Sequence, residues 1–367
     1  MIKKYFHLMV SALLFAGATV MCGAEETVPF SGKASFEEGG FQYPGGGILS
    51  YQYSRLGIGG QPDLLQDFSL GFDGEARWMA SGSPIPFPWS KPPVENAVKH
   101  NTGNEDQYNG GDLYFLSLDR AFLHWASGRA EITAGLFKPE WGSSSFYRPT
   151  DYFFPLDPLA WERNDAPGSE GLESTFFLFD DLSLEGAARW LEGWNGEGVV
   201  RLVDKGIGLT VTPSLAWMTG RNGAGLELVG TFPMLQVRFE GVDWLFADGH
   251  AVAAWNLGIS TSHEGIKYTA EVLRDGTGEI LGRNSSDNLP GTYAFISIEG
   301  SLFEKCKTLP SIVAPLEGGP FLFWPQVTCQ LEEAWTISAQ AQCLLGKWRG
   351  PLDMAPGRCG LSLAYAF

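Results

Sequence analysis

The chain has 367 residues, with 25 basic against 42 acidic side chains, a formal charge of −17, and 47 glycines, 13 tryptophans and 25 phenylalanines. That balance excludes nucleic acid as a partner, because a polyanion needs a basic footprint that releases its counterions. So much glycine and aromatic surface suits tight turns and belts of rings, whereas the mean hydropathy near zero decides nothing.

The first element in chain order is an export signal. Lys3 and Lys4 precede an apolar run from Leu8 to Met21, and Cys22-Gly23-Ala24 supplies small residues for cleavage. Residues 1–24 read as a secretory signal peptide, too short for a membrane span, and 25–367 as one mature domain. Cys22 invites a lipoprotein reading, to which Met21 is a poor fit. Losing Lys3 and Lys4 makes the mature chain more acidic, which in a pore would favour cations on field sign. Acids solvating exposed loops are the plainer account. Past the signal, no stretch approaches the ~20 apolar residues of a membrane helix.

From there the pattern has period two. Phe68, Leu70, Phe72, Ala76 and Trp78 share a face, opposite Asp67, Ser69, Asp73, Glu75 and Arg77. Ala130, Ile132, Ala134 and Leu136 oppose Arg129, Glu131 and Thr133. Leu182, Leu184, Ala188 and Trp190 oppose Ser183, Glu185 and Arg189, and Ile337, Ala339, Ala341 and Cys343 oppose Ser338, Gln340 and Gln342. A soluble sandwich would bury the apolar face, whereas a membrane barrel turns it to lipid and the polar face to a lumen.

Strands are expected near 30–38, 47–58, 65–79, 111–125, 128–137, 171–179, 182–191, 205–218, 224–232, 234–246, 250–262, 265–274, 292–304, 320–332, 335–348 and 357–367, so that fourteen to sixteen is the fair range. The parity of this list is unsettled. If the tight turns at Ser127-Gly128 and Asp180-Asp181 mark one end, the long stretch from Asp275 to Gly291 lands there too. Either that loop is unusual or a strand between Trp190 and Pro290 is miscounted.

Two connections are long enough to be functional. Residues 81–110 are proline-rich and then polar, as an exposed loop would be. Residues 138–170 hold Trp141, Phe146, Tyr147, Tyr152, Phe153, Phe154 and Trp161, rings that must be buried somewhere. A barrel interior is the nearest dry wall, with a cap on the barrel rim as the other placement. Four cysteines, Cys306, Cys329, Cys343 and Cys359, match no zinc or redox spacing. An oxidising envelope would permit disulfides, and Cys343 and Cys359 equally suit small apolar positions.

The last strand alternates Cys359, Leu361, Leu363, Tyr365 and Phe367 with small residues. It resembles the C-terminal strand of Gram-negative-type outer-membrane β-barrels, in which a closing aromatic is read by the assembly machinery. The run from Gly135 to Gly142, followed by Tyr147 to Asp157, loosely resembles porin-like members of that class. The resemblance implies an all-β transmembrane antiparallel barrel with a long loop folded into its lumen, in the cell outer membrane. Lys138, Trp141, Arg148 and Asp151 would then form a constriction facing Asp73, Glu75, Arg77, Arg129, Glu131, Glu185 and Arg189. Tyr365 and Phe367 would be the assembly signal. The implied partners are outer-membrane lipid, the assembly machinery with its periplasmic chaperones, and small polar or ionic solutes. Barrels of this size often trimerise, so a homo-oligomer stays open without an interface signature.

Enzymatic signatures are weak. His250 and His263 sit at turns, and no Gly-x-Ser-x-Gly, zinc pair, calcium loop or phosphate loop occurs. No cofactor or metal is expected. A passive porin and a barrel that anchors ligand-binding loops remain as the two readings of function. The enclosed volume of sixteen strands favours conduction.

Overall fold

The computed structural model describes residues 30–42, 48–61, 63–65, 67–81, 111–139, 141–153, 168–190, 196–276, 291–317, 321–345 and 358–366. The expected signal peptide with Cys22, most of loop 81–110, His100, residues 154–167 and Phe367 lie outside the described residues.

Among the described residues the only regular structure is antiparallel strand. In order these are β1 (Phe30–Gln42), β2 (Ile48–Gly60), β3 (Asp63–Leu65), β4 (Phe68–Ser81), β5 (Gly111–Ser127), β6 (Ala130–Phe137) and β7 (Ser169–Phe177). Then follow β8 (Leu182–Trp190), β9 (Gly196–Gly206), β10 (Leu209–Met218), β11 (Arg221–Thr231), β12 (Leu235–Phe246), β13 (Ala251–His263) and β14 (Ile266–Asp275). The last are β15 (Gly291–Phe303), β16 (Cys306–Thr308), β17 (Ser311–Pro315), β18 (Phe321–Trp324), β19 (Gln326–Gln330), β20 (Trp335–Leu345) and β21 (Arg358–Ala366). Apart from the short strands β3 and β16 to β19, each pairs with the next in sequence, β2 pairs with β4, and β1 pairs with both β2 and β21, so the sheet closes into a barrel. Among the described residues no helix is long and apolar enough to cross a membrane, which leaves a β-barrel crossing by its strands untouched.

β3 is a short flap on β4, while β16 with β17, and β18 with β19, make single staves interrupted at Pro310 and Pro325. The described barrel therefore has eighteen staves, more than the fourteen to sixteen expected. The two additions are β9 and the stave of β16 and β17. In β9 valines stand on both faces, Val199 and Val203 inward against Val200 outward, which erases the alternation. In the other, proline removes the amide that a continuous ladder needs. β9 also settles the parity. The connection after Asp275 falls at the end opposite the tight turns.

Inside and outside are inverted relative to a soluble protein. On β13 Leu257 and Ile259 are 48% and 49% exposed on the outer face, while Asn256 and Ser260 are buried on the inner one. On β14 Thr269, Glu271 and Asp275 are buried and Tyr268 is exposed. Charged groups are rarely buried while leucines stay outside unless the outside is lipid. One end carries short turns, such as Glu264-Gly265, whose two positive φ values (50° and 79°) give the mirror-image turn that suits a twisted hairpin. The other end carries the long connections after β4, β6, β14 and β20. Near the short-turn end, Cys306 and Cys329 form a disulfide between β16 and β19.

Candidate functional site

The segment after β6 leaves the wall early, because β6 has only 8 residues against the 17 of its partner β5. It then runs inside the barrel. Trp141, Phe146, Tyr147, Tyr152 and Phe153 all lie in one buried cluster with Val199, Ala216, Val242, Trp244, Ala254, Leu273, Tyr293, Phe295, Val313 and Leu322 of the inner wall. Phe146 stacks on Phe295 with centroids 4.6 Å apart, and Tyr152 meets the edge of Trp244 at 5.6 Å. Rings account for the burial, but they do not fix the register of a loop with no partner strand.

Two buried carboxylates do. Glu240 on β12 and Glu271 on β14 are 0% and 2% exposed. Four consecutive loop amides donate into them: Ser143 and Ser144 to Glu240 Oε1 at 2.7 and 2.5 Å, Ser145 to Glu271 Oε1 at 2.7 Å, and Phe146 to Glu271 Oε2 at 3.1 Å. The Thr150 hydroxyl donates to the second Glu240 oxygen at 2.7 Å. Arg238 donates to the Ser143 carbonyl at 2.8 Å and stands 3.5 Å from Glu271, and Asn256 bridges Glu271 to the Tyr147 carbonyl. A burial of acids that would be costly alone is offset by these charge-assisted bonds, and the loop amides are satisfied in the same stroke.

Two glycines make room. Gly258 stands between Arg238 and Glu271 in register, and a Cβ there would come within 3.1 Å of Glu271 Cγ. Gly142 has φ of 86°, and a Cβ there would come within 2.8 Å of Glu240 Oε2.

On the β8 and β9 side the loop is held by cations. Arg189 pairs with Glu197 and donates to the Phe153 carbonyl at 3.0 Å, while its guanidinium lies over the Phe153 ring. Arg201 pairs with Glu185 and covers the Trp141 ring at 4.5 Å. The Tyr152 hydroxyl shares a 2.7 Å hydrogen bond with Ser214, and burial pushes its pKa up to about 12.

Among the described residues, open space remains beside the β4–β7 wall. A cavity of about 250 Å³ is lined by Gln61, Arg120, Phe122, His124, Thr133, Phe137, Lys138 and Glu173. It sets three nitrogen bases and one carboxylate around two rings. His124 and Thr133 are hydrogen-bonded to each other at 3.0 Å.

The residues singled out in the sequence divide accordingly. Trp141 and Asp151 are buried in the loop, and Arg148 bonds back to the Ser144 carbonyl, so it braces the loop. Lys138 alone of the loop's four lines the cavity. Glu185 and Arg189 lie on the inner wall, engaged in cross-strand pairs. Asp73 faces Arg120 in register, and Glu131 faces Ala126 and Thr175. Arg129 is exposed in the turn between β5 and β6. Glu75 and Arg77 have described backbone in β4, with side chains outside the described residues. Tyr365 packs against Trp335 at 4.8 Å near the short-turn end. Missed in the sequence were Arg238, Glu240, Asn256, Glu271, Arg201 and Glu197, although Gln236, Arg238 and Glu240 alternate with Val237 and Phe239 as an inward polar row should.

No protein-family model matches this chain, and neither does any curated protein. Solved structures do. OccK7 (OpdD) of Pseudomonas aeruginosa matches with a TM-score of 0.60 at 10% identity, over 93% of this chain and 99% of its own. OccK2 (OpdF) of the same organism, solved in complex with glucuronate, gives 0.59 at 9% identity over 92% and 97%. Pseudomonas aeruginosa OpdK, solved with vanillate, gives 0.55 at 8% identity over 92% and 98%. The fold is that of the β-barrels solved for these proteins.

Proposed function

We propose that this chain is an outer-membrane diffusion channel, admitting small polar or ionic solutes through the space left between the folded-in loop and the β4–β7 wall. The observation that carries this reading is the latch of four loop amides on Glu240 and Glu271, which makes the loop a fixed part of the lumen. A wide barrel with a rigid inward loop has an aperture set by that loop.

The cavity argues for solutes that carry an anionic group beside an apolar body. Arg120, Lys138 and His124 would meet the anion, and Phe122 and Phe137 would line the body. Glucuronate and vanillate, bound in two of the similar structures, both carry a carboxylate. The chain's total charge of −17 favours cations in the mouths, but groups at the narrowest point dominate selection. No turnover is required of such a channel. Tyr365, with Phe367, would present the assembly signal, and the periplasmic chaperones and assembly machinery would act before the barrel closes.

The test is conductance. The mature chain, refolded and inserted into a planar bilayer, should give discrete steps, and in a salt gradient the reversal potential reads selectivity. A silent bilayer from folded protein would overturn the channel reading in favour of a barrel that anchors loops for an external partner.

A further inference from the structure

The hairpin tips at the short-turn end are of two kinds. Between β7 and β8, Leu178 and Phe179 are exposed; between β9 and β10, Ile207 is 108% exposed; between β11 and β12, Phe232 and Met234 are exposed. A tip standing in water is normally built from glycine, asparagine or aspartate. The hairpins on either side keep to that custom at the turn residues themselves. β13 and β14 turn on His263, Glu264 and Gly265, and β5 and β6 on Gly128 and Arg129, all exposed, while β15 and β16 turn on exposed Glu304 and Lys305 after a Phe303 that is also exposed.

β7 to β12 have 9, 9, 11, 10, 11 and 12 residues; among the polar-tip hairpins β13 and β15 have 13, while β14 and β6 have 10 and 8. A strand rising ~3.3 Å per residue at a tilt of ~40° climbs about 2.5 Å per residue. From Trp217, exposed near the long-loop end of β10, down to Ile207 is then about 25 Å, the height of an outer-membrane apolar band. The exposed Asp180, Asp181, Asp204 and Lys205 beside the apolar tips suit the headgroup level.

We infer that the β7–β12 arc seats its hairpin tips in the phospholipid boundary, so that Phe179, Ile207, Phe232 and Met234 touch lipid, while the tips at Glu264 and Glu304 stand clear in water. The apolar tips continue the outer face formed above them by Leu209, Leu215 and Leu226. The occupant is the membrane that already covers that face, so the barrel stands in it asymmetrically. This inference rests on the membrane-barrel reading.

Spin labels test it, in a chain carrying Cys343→Ser and Cys359→Ser and reconstituted into phosphatidylethanolamine–phosphatidylglycerol bilayers. Single labels at Ile207→Cys, Phe232→Cys, Glu264→Cys and Glu304→Cys, with Leu257→Cys as the mid-membrane reference, report access to oxygen and to a water-soluble nickel complex. The oxygen-to-nickel ratio at 207 and 232 should be several-fold above that at 264 and 304, and closer to that at 257. Ratios at 207 and 232 as low as at 264 would overturn the inference and assign the apolar tips to a protein partner. Ratios at 264 and 304 as high as at 207 would overturn the asymmetry. A water-like 257 would instead remove the membrane barrel itself.

Discussion

The inner wall from β10 to β18 and the inner wall from β4 to β7 share one barrel and one lipid-facing exterior, yet they end in opposite states. On the first, Val242, Trp244, Leu273, Phe295 and Leu322 pack against the loop's rings, and two buried acids hold its backbone. On the second, Arg120, His124, Thr133 and Glu173 line open space. A dry wall with a few fully satisfied acids immobilises a loop, and a polar wall with bases leaves room for solute. On the channel reading, the first wall would set the size of the aperture and the second its charge preference.

The strongest way to break that contrast is to remove what the dry wall holds. Deleting residues 143–153 should raise single-channel conductance several-fold, and unchanged steps would show that the loop does not limit flow. Releasing the latch while keeping the loop comes next. Glu240→Ala with Glu271→Ala strands four amides, each costing about 1–3 kcal/mol when buried unpaired. Larger, flickering steps are expected from a barrel that still runs as a folded species in cold detergent gels.

The wet wall should answer differently. Arg120→Gln with Lys138→Gln should move the reversal potential toward cations and leave the step size within about twofold. A change in conductance as large as that of the deletion would merge the two walls into one function. Smaller still, Gly142→Ala forces an L-residue into a left-handed backbone against Glu240, at about 1–2 kcal/mol, readable in thermal unfolding.

The finest probe is Tyr152→Phe, which removes the Ser214 bond and about 1 kcal/mol. Because the folded pKa of about 12 lies above the unfolded value of 10.0, the stability linked to this hydroxyl is full below pH 10 and is lost as pH rises toward 12. The phenylalanine variant should lack that alkaline loss.

Much of the barrel was legible because lipid and lumen impose a strict two-residue alternation, clear in β4, β8 and β20. Where the sequence puts valine on both faces, as in β9, or proline inside a stave, as at Pro310, the signal is lost and the stave with it. The loop's destination was legible from its rings, since Trp141, Phe146 and Tyr152 need a dry wall. Its anchors were not. Glu240 and Glu271 occupy ordinary inward positions, and nothing local to a strand says that a segment about a hundred residues upstream supplies the amides. Arg129 shows the opposite error, since alternation run one residue too far places a turn residue on a strand face.

The distances along the chain between loop and latch have a kinetic consequence. Ser143 meets a carboxylate 97 residues later and Ser145 one 126 residues later. Contacts of such span form late, because a large loop must close before they return anything. The loop cannot find its seat until β12 and β14 are side by side, so an assembling barrel passes through a stage in which its interior is wide and the aperture has no fixed size. If the chain is a channel, solute sieving would be the last property acquired during biogenesis.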